Sequence, residues 1–421
     1  MLNTLLIVNP VTSGMYLSES LKYYGIYTVA LYDIVYQDMI SNKNSYSYQM
    51  DCFDKRIFSD FRKSSIDDLI SLVSNENYSL VVHGSELSLK ISEQLASKLT
   101  PEAANPLNSF ELRNSKYAIQ RKLCESKVNY IPQIIFNPFE DDINVLKKVR
   151  YPCFVKPLHG ASAIFSSKIN NQEKLHQFFN QLSLEKVSNY WILKYQEDNT
   201  QFLICKFIEG DTYLVDTFSY KGNHYLSSIQ YNPKEYISNL PYYMYFEPIT
   251  EEKSIFNPIK NYVFTCLNIA EFHNGFSHTE VIVNDEGIFL IEINPRISGA
   301  RGMVNKTAKL AGCFSQVDLL ASKVFHKSIN EINKKFKYCR LIPIFNIGSN
   351  PLPDLQQKLH DIKSIQEICY FKPIGYINPA TIVGMGDSFC AMIICATDDV
   401  NVLNRDTEII RKLDMSSFSL N

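Results

Sequence analysis

The sequence lacks an excess of charge of either sign. Lys and Arg number 42 and Asp and Glu number 44 in its 421 residues, which gives a formal net charge of −2. A balanced chain of this kind argues against non-specific binding to nucleic acid or to a membrane surface. A local cluster of a few lysines would still be enough to bind an anionic ligand. We therefore predict no nucleic-acid partner and no membrane partner.

Three further features are missing. None of the ten cysteines belongs to a C-x-x-C pair, which argues against a zinc ribbon or a dense disulfide framework and favours a reducing compartment. No stretch approaches the roughly 18 apolar residues that cross a bilayer. The opening MLNTLLIVNP has no basic residue before its short apolar run, so it predicts a strand and not a signal peptide. Together these absences predict a cytoplasmic protein.

The pattern of apolar segments predicts an α/β chain of two or three domains, as the length also suggests. NTLLIVNP and IYTVALYD are strand-like and flank the helix-like SGMYLSESLKYYG, which predicts a small parallel layer. No G-x-G-x-x-G follows the first strand, so this layer has no dinucleotide fingerprint. The Pro/Asn/Ser-rich PEAANPLNS and a polar run after a helix predicted at about 302–327 divide the chain into 1–105, 106–330 and 331–421.

The segment GFSHTEVIVNDEGIFLIEINPRISGARG carries polar side chains on two strands that are otherwise apolar. Side chains alternate between the faces of a strand. On the first strand the shared face holds His278, Glu280 and Ile282. On the second strand one face is polar and holds Glu292, Asn294 and Arg296. The other face is apolar and holds Phe289, Ile291 and Ile293.

The turn DEG sets the register of this hairpin. A three-residue turn with Gly287 in the left-handed position pairs Asn284 with Ile288 and places Glu280 opposite Glu292. Facing carboxylates repel, so we expect either a cation between them or one protonated group. Oxygen ligands favour Mg²⁺ or Mn²⁺, whose other ligands usually come from phosphates and water. The alternative is a surface hairpin whose polar side faces water.

Two lysines upstream are candidates for binding the phosphates of a nucleotide. Lys156 ends the strand YPCFVKP and precedes a small-residue loop, where exposed amides could help to hold an anion. Lys116 opens a helix, where its charge opposes the helix dipole unless an anion is near. The alternative for each is an ordinary solvated lysine.

These segments together resemble the ATP-grasp superfamily, above all in IEINPRISG, the HTE glutamate twelve residues before Glu292, YPCFVKP and FIEGDTYLVD. The chain looks most like the L-amino-acid ligases, whose opening helix and small C-terminal domain resemble RNSKYAIQRKL and the segment from NIGSNPLP to IIRKLD. The resemblance implies an ATP-grasp fold. It would comprise a Rossmann-like pre-ATP-grasp domain, a central two-subdomain module with its nucleotide-binding part at about 150–215, and a small C-terminal α+β domain.

The resemblance also implies a nucleotide site and a metal site. The phosphates of ATP would be held by Lys116 and Lys156, under a loop around Gly160, Ala161 and Ser162. Adenine would meet backbone atoms of the CKFI hinge, which contains Lys206, Phe207 and Ile208. Mg²⁺ or Mn²⁺, two ions in all, would be bound by Glu280, Glu292 and Asn294, with Glu292 bridging them.

Four residues are candidates for contact with the reacting groups. Arg296 would stabilise the acyl-phosphate and the tetrahedral intermediate. His278 is a candidate general base, with a structural hydrogen-bond role as the alternative. Arg301 could anchor a substrate α-carboxylate, or be an ordinary exposed arginine. Glu86, in the loop HGSE, could meet the substrate amine.

Three positions depart from the pattern of the relatives. Cys205 stands where a Glu is common, which removes a side-chain acceptor for the adenine amino group. Thr212 stands where Glu is frequent in G-D-E-Y, and Gln120 replaces an Arg of the opening helix. The first two could weaken or alter nucleotide binding.

The implied reaction joins a carboxylate to an amine, for example two amino acids, with ATP converted to ADP and phosphate through an acyl-phosphate. Two competing readings remain open. One is a carboxylase-type ATP-grasp enzyme that uses bicarbonate. The other is a nucleotide-binding protein whose catalysis has decayed, which Cys205 and Thr212 favour. The oligomeric state is open, a homodimer being one alternative.

Overall fold

The computed structural model describes residues 4–41, 52–158, 165–182, 200–237, 240–329, 334–348, 350–378 and 389–415. Its strands, in chain order, are β1 Thr4–Val8, β2 Tyr27–Asp33, β3 Lys55–Ser59, β4 Tyr78–His83, β5 Gln133–Phe136, β6 Cys153–Pro157, β7 Ser167–Ile169, β8 Phe202–Lys206, β9 Asp211–Tyr220, β10 Asn223–Tyr231, β11 Lys234–Ile237, β12 Leu240–Tyr243, β13 Glu247–Pro248, β14 Gly275–Asn284, β15 Gly287–Asn294, β16 Tyr338–Ile344, β17 Ile365–Tyr370 and β18 Ala391–Thr397.

The α-helices are α1 Tyr16–Lys22, α2 Gln37–Ser41, α3 Ile66–Val73, α4 Leu89–Leu99, α5 Phe110–Asn114, α6 Lys116–Glu125, α7 Gln172–Asn180, α8 Phe256–Ile269, α9 Met303–Leu310, α10 Gln316–Phe325, α11 Leu355–Lys358 and α12 Val400–Met415. Within the part of the chain that the structure describes, none is long and apolar enough to cross a membrane.

The helix predicted at about 302–327 is wrong, because two helices, α9 and α10, occupy this stretch. Gly312 lies between them with φ +87°, a conformation that ends a helix. Ser315 then caps α10 in a reciprocal capping box with Asp318. Both signals are present in the sequence AGCFSQVD.

The N-terminal region contains the parallel layer that the sequence predicts. Its sheet has the order β3-β2-β1-β4, and β1 is parallel to both of its neighbours. Leu5 and Ile7 pack into one apolar cluster, whereas Leu6 and Val8 pack into another on the opposite face. Burial on both faces is typical of a parallel layer covered by helices. The edge strand β3 was not predicted.

Two antiparallel sheets form the centre of the molecule. One has the order β5-β8-β6-β7 and packs against α7, and the other has the order β13-β10-β9-β14-β15 and packs against α6 and α8. Each sheet thus buries one face on helices. The opposite faces of the two sheets line a common cavity.

Another antiparallel sheet, β16-β18-β17, lies in the C-terminal region. One of its faces packs against α12 through Leu403 and Ile410. Its other face, which includes Met392, packs against the central region. Met392 and the preceding Phe389 also line the cavity, so the C-terminal region closes part of it.

A buried ion pair fastens the N-terminal layer to the central region. Arg113 has no exposed side-chain surface and binds both carboxylate oxygens of Glu93 on α4, each at 2.7 Å. It also donates to the carbonyl oxygens of Pro106, Ala270 and Glu271. Neither partner of this pair was predicted from the sequence.

Candidate active site

Glu280 pairs with Glu292 in the acidic hairpin, as predicted, although the turn and the register of the hairpin differ from the prediction. Asn284 pairs with Gly287 and not with Ile288, so the turn is one residue shorter than predicted. A bulge between Glu280 and Val281 then shifts the register by one residue. The shorter turn and the bulge shift the register by one residue in opposite directions, so Glu280 still faces Glu292.

The bulge overturns part of the predicted division between faces. Phe289 packs with Leu203 in an apolar cluster on the cavity side, and Ile291 lines the cavity beside Glu292. Both were assigned to the opposite face. A bulge inserts one residue into a strand. Side chains on one side of the bulge therefore point to the opposite face of the sheet from the face that strict alternation would give. Ile293 lies in the core against the helices, as predicted.

Each of the facing carboxylates has its own lysine. Lys116 Nζ lies 3.2 Å from Glu292 Oε2, and Lys234 Nζ lies 3.5 Å from Glu280 Oε2. Burial opposes ionisation of Glu292, but Lys116 and Lys156 outweigh it and lower its pKa to about 2. Protonation of Glu292 is therefore not what relieves the repulsion. Lys234 was missed because only the folded topology brings it to this hairpin.

The donor set at the hairpin fits a hard divalent cation. Asn294 Nδ2 donates to Glu292 Oε1 at 3.1 Å, which leaves the amide oxygen of Asn294 available as a ligand. Two carboxylates and one amide oxygen are the ligand types that Mg²⁺ and Mn²⁺ prefer. No group of three or more His, Cys, Asp or Glu side chains that could hold a metal occurs among the described residues. The fit therefore depends on phosphate oxygens as further ligands.

Both predicted phosphate lysines line the same cavity, which has a volume of about 310 Å³. Lys156 is the fourth residue of β6. Lys116 is the first residue of α6, where Ser115 caps the helix by accepting from Ala118 N. Burial works to lower the pKa of Lys116, but Glu292, Glu86 and Glu280 together outweigh burial and the pKa is raised. The predicted loop residues Gly160, Ala161 and Ser162 lie outside the described residues.

The hinge after β8 offers backbone groups to the cavity. Lys206 N donates to Pro132 O, and Phe207 N donates to Pro152 O. Because a proline has no N–H, Pro132 cannot return a hydrogen bond to the Lys206 carbonyl. Among the described residues the N–H of Ile208 has no hydrogen-bond partner. A carbonyl and an N–H so arranged suit the edge of a base that carries a donor beside an acceptor.

The three departures from the pattern of the relatives have different structural consequences. Burial raises the pKa of the Cys205 thiol, so Cys205 lines the cavity as a small uncharged side chain. Gln133 pairs with Cys205 across the strands and lines the cavity, and its Oε1 has no partner among the described residues. Thr212 also lines the cavity. Gln120 is structural, since it donates to Leu290 O and accepts from Ile131 N.

Arg296 connects the cavity to the N-terminal region. Its Nε donates to Glu86 Oε1 at 2.7 Å. Burial works to lower the pKa of Arg296, but Glu86, Glu292 and Glu280 together outweigh burial and the pKa is raised. His83, in the same loop as Glu86, is neutral at physiological pH because burial and Arg296 lower its pKa to about 3. Contact of Glu86 with a substrate amine stays a prediction.

His278 is held by a buried carboxylate. Its Nδ1 lies 2.7 Å from Oδ1 of Asp216, which is 1% exposed. A carboxylate accepts hydrogen bonds, so Nδ1 carries the proton when the ring is neutral and Nε2 keeps its lone pair. His278 lines the cavity. A signal for Asp216 was present, since it is a lone acid within the apolar strand TYLVDTFSY.

Arg301 faces the C-terminal region. Its Nη1 donates to Tyr370 O at 2.8 Å, and its guanidinium lies over the ring of Phe371. It lies between Ala300 and Gly302, and all three have positive φ angles. Gly302 is required there, because a Cβ would meet the ring of Tyr16 at 2.2 Å. The position of Arg301 does not support the predicted anchoring of a substrate carboxylate, which stays a prediction.

Comparison with protein families agrees with this geometry. Residues 149–304 match the model described as an ATP-grasp domain. The match covers the central part of the chain, and the family is shown for that part. The matched residues include β6 and β8 of one sheet and the entire acidic hairpin of the other.

The similar proteins differ in what they make. Dapdiamide A synthase from Enterobacter agglomerans is 20% identical over 366 residues, which cover 85% of this chain and 84% of that protein. The L-amino acid ligase from Bacillus licheniformis has a TM-score of 0.75 at 15% identity, over 97% of both chains. A carboxyaminoimidazole ribonucleotide synthase from Aspergillus clavatus, crystallised with ATP, has a TM-score of 0.69 at 14% identity, over 99% of both chains. These structural matches confirm the predicted ATP-grasp fold.

Proposed function

We propose that this ATP-grasp protein is an ATP-dependent carboxylate–amine ligase that joins amino acids through an acyl-phosphate. The observation that carries the proposal is the cavity between the two sheets, where lysines from three different elements, Lys116, Lys156 and Lys234, accompany the facing carboxylates of Glu280 and Glu292. The similarity to an L-amino acid ligase over nearly the whole chain supports amide formation as the outcome.

In the first step a substrate carboxylate oxygen attacks the γ-phosphorus of ATP. An O–P bond forms while the bond from the γ-phosphorus to the bridging oxygen of the β-phosphate breaks, which yields an acyl-phosphate and ADP. Two anions must approach each other, so positive charge is required around the transferring group. Lys116, Lys156 and Lys234 supply that charge in the cavity.

Mg²⁺ would be held by Glu280, Glu292 and Asn294. When bound there it would neutralise charge on the β- and γ-phosphates. The low pKa of Glu292, about 2, keeps this ligand ionised over the whole physiological range. The backbone of Lys206 and Ile208 would position the adenine, and Gln133 Oε1 would supply an acceptor that Cys205 lacks.

In the second step the amine nitrogen attacks the acyl carbon. A C–N bond forms, negative charge develops on the acyl oxygen, and the C–O bond to phosphate then breaks. Arg296 is the cavity cation placed to stabilise the oxyanion. The amine must lose a proton, and Nε2 of His278 can accept it because Asp216 fixes the tautomer and orientation of the ring.

Replacing His278 by Gln should separate the two steps. We expect amide formation to fall by about 10²-fold, because a positioned general base typically contributes that much or more. ADP formation should fall less, since the acyl-phosphate still forms and is lost to water. The ratio of ADP to amide product, measured in one assay, should therefore rise. His360→Gln is the matched control, because His360 is exposed and its Nδ1 contacts only the carbonyl of Gln357 in its own turn. An unchanged ratio in His278→Gln would contradict the role.

A carboxylase-type reaction is the second candidate. The match to carboxyaminoimidazole ribonucleotide synthase favours it, since that structure also covers nearly the whole chain. In that case bicarbonate would be the phosphoryl acceptor, and the same lysines and carboxylates would serve. Incorporation of labelled bicarbonate into product would distinguish the two reactions.

The test is a screen of ADP release against pairs of amino acids, with product masses recorded. The proposal predicts release that depends on an amino acid and a product mass equal to the two amino acids less one water. Release that depends on bicarbonate would favour the carboxylase reaction. Binding of ATP without turnover over a broad panel of amino acids and with bicarbonate would favour a nucleotide-binding protein without catalysis.

A further inference from the structure

Lys234 reaches the cavity from a hairpin that has little support of its own. Within the described part of the chain the two strands of this hairpin, β11 and β12, pair only with each other. A two-stranded hairpin is marginally stable in water unless it packs against something else. Lys234 Nζ nevertheless lies 3.5 Å from Glu280 Oε2, and its side chain is only 14% exposed. The hairpin must therefore be held in place by contacts outside its own two strands.

Helix α12 supplies such contacts through two charged side chains. Tyr242 of β12 is fully buried and donates its hydroxyl hydrogen to Asp414 Oδ2 at 2.6 Å. Arg411 Nη1 donates to the oxygen of the same hydroxyl at 2.9 Å and lies 3.6 Å from Asp414 Oδ2. The Tyr242 hydroxyl is thus held by a carboxylate and by a guanidinium. Hydrogen bonds to charged groups are stronger than those between neutral groups, so these contacts fix the end of β12.

The carboxylate that holds Tyr242 is itself fixed to the C-terminal sheet. Asp414 Oδ1 accepts from the backbone N–H groups of Phe345 and Asn346, which directly follow β16, at 2.9 and 2.7 Å. The ring of Phe345 also packs against the ring of Tyr242, with 4.9 Å between their centroids. The hairpin is therefore attached to the C-terminal region through α12 and the end of β16.

This attachment lies one residue away from the cross-strand partner of Lys234. Tyr243 follows Tyr242 on β12 and pairs directly with Lys234 of β11. Lys234 Nζ lies 5.0 Å from the centroid of the Tyr243 ring, and both residues line the cavity. A shift of Tyr242 would move Tyr243, and with it the strand and the ring that place the lysine beside Glu280. A misplacement of about 1 Å can cost about 10²-fold in rate.

We propose that Tyr242, Arg411 and Asp414 are positioning residues, through which the C-terminal region holds Lys234 at the transferring phosphoryl group. This inference rests on the proposed ATP-dependent function. The three residues are not among the described residues that line the cavity, so their effect passes through the hairpin. The C-terminal region thereby contributes to the reaction through a lysine that belongs to the central region.

A double-mutant cycle on Tyr242 and Lys234 tests the inference. Lys234→Met is expected to lower kcat for amino-acid-dependent ADP release about 10²-fold, because it removes one positive charge from the transferring group. Tyr242→Phe, which removes only the anchoring hydroxyl, should lower kcat about tenfold. In the Lys234→Met background the same change should lower kcat by less than about twofold, since no lysine is left to position.

Ser364→Ala is the matched control. Ser364 Oγ donates to Asp406 Oδ2 at 2.6 Å, and both residues are buried. This variant also removes a buried hydroxyl that donates to a carboxylate of α12, but Ser364 lies beside β17 and not on the hairpin. We expect both hydroxyl variants to lower Tm and only Tyr242→Phe to lower kcat.

The outcomes separate the inference from the function on which it rests. Equal losses of kcat for Tyr242→Phe in both backgrounds would overturn the positioning role, and so would an unchanged kcat in Tyr242→Phe. A wild type that releases no ADP with any amino acid would instead contradict the proposed function. The cycle is then measured in the affinity for ATP with Mg²⁺, where equal losses in both backgrounds would overturn the role. If Tyr242→Phe does not fold, Phe345→Leu, which loosens the packing against the Tyr242 ring, replaces it in the cycle.

Discussion

Replacing Glu292 by Gln is expected to lower kcat/KM for amino-acid-dependent ADP release by about 10³-fold or more. Glu292 is the carboxylate that faces Glu280, contacts Lys116 at 3.2 Å and accepts from Asn294. A bound divalent ion contributes several kcal/mol to stabilising the transferring phosphoryl group, and each 1.4 kcal/mol corresponds to a factor of ten. The isosteric amide removes the charge and keeps the volume. Steady-state kinetics over a range of Mg²⁺ concentrations measures the effect.

Glu286→Gln is the control for this substitution. Glu286 lies in the turn of the same hairpin, is exposed, and contacts Lys206 Nζ at 3.1 Å. Its replacement should leave ADP release within twofold of the wild type, because an exposed pair contributes little. The melting temperature of Glu292→Gln should fall somewhat, because the lowered pKa of Glu292 means that its ionised form stabilises the fold at neutral pH, so activity is compared at a temperature at which the variant is folded. Activity of Glu292→Gln within tenfold of the wild type would contradict the assignment of this hairpin.

The largest loss of stability is expected for Arg113→Met. Arg113 has no exposed side-chain surface, and Glu93 would be left as a buried carboxylate without its partner. Breaking one side of a buried pair typically costs about 3–5 kcal/mol. The free energy of unfolding, measured in urea, should fall by that amount. The double variant Arg113→Met, Glu93→Leu should recover a large part of the loss, because it leaves no uncompensated charge.

An exposed arginine on the next helix provides the comparison. Arg121 forms an i, i+4 pair with Glu125 at 3.4 Å, and their side chains are 67% and 55% exposed. Its replacement by Met should change the free energy of unfolding by less than about 0.5 kcal/mol. If Arg113→Met were no more destabilised than Arg121→Met, the buried pair would not be what fastens the N-terminal layer to the central region.

Local patterns were sufficient to predict the centre of the site. Alternation along β14 and β15 places Glu280 opposite Glu292, and this pairing is confirmed. The same alternation failed at Phe289 and Ile291, because a bulge adds a residue without any change in composition. A one-residue shift of this kind can be located only when the hydrogen bonds between strands are known.

Contacts between distant segments were the part that sequence patterns could not supply. Lys234 reaches Glu280 from a short hairpin 46 positions earlier in the chain, and nothing in NPKEYI marks it as a partner. Asp216 could have been found, because a lone acid on the cavity face of an apolar strand requires a partner.

The most direct measurement of the central claim follows the oxygen atoms of the acid substrate. An amino acid labelled with ¹⁸O in its carboxylate, chosen from the pairs that support ADP release, would be supplied with unlabelled ATP and Mg²⁺. If its carboxylate attacks the γ-phosphate in this cavity, each phosphate released carries one ¹⁸O atom, and the amide product retains the other. Phosphate that carries no ¹⁸O, formed at the same rate as the product, would contradict the acyl-phosphate and with it the proposed reaction.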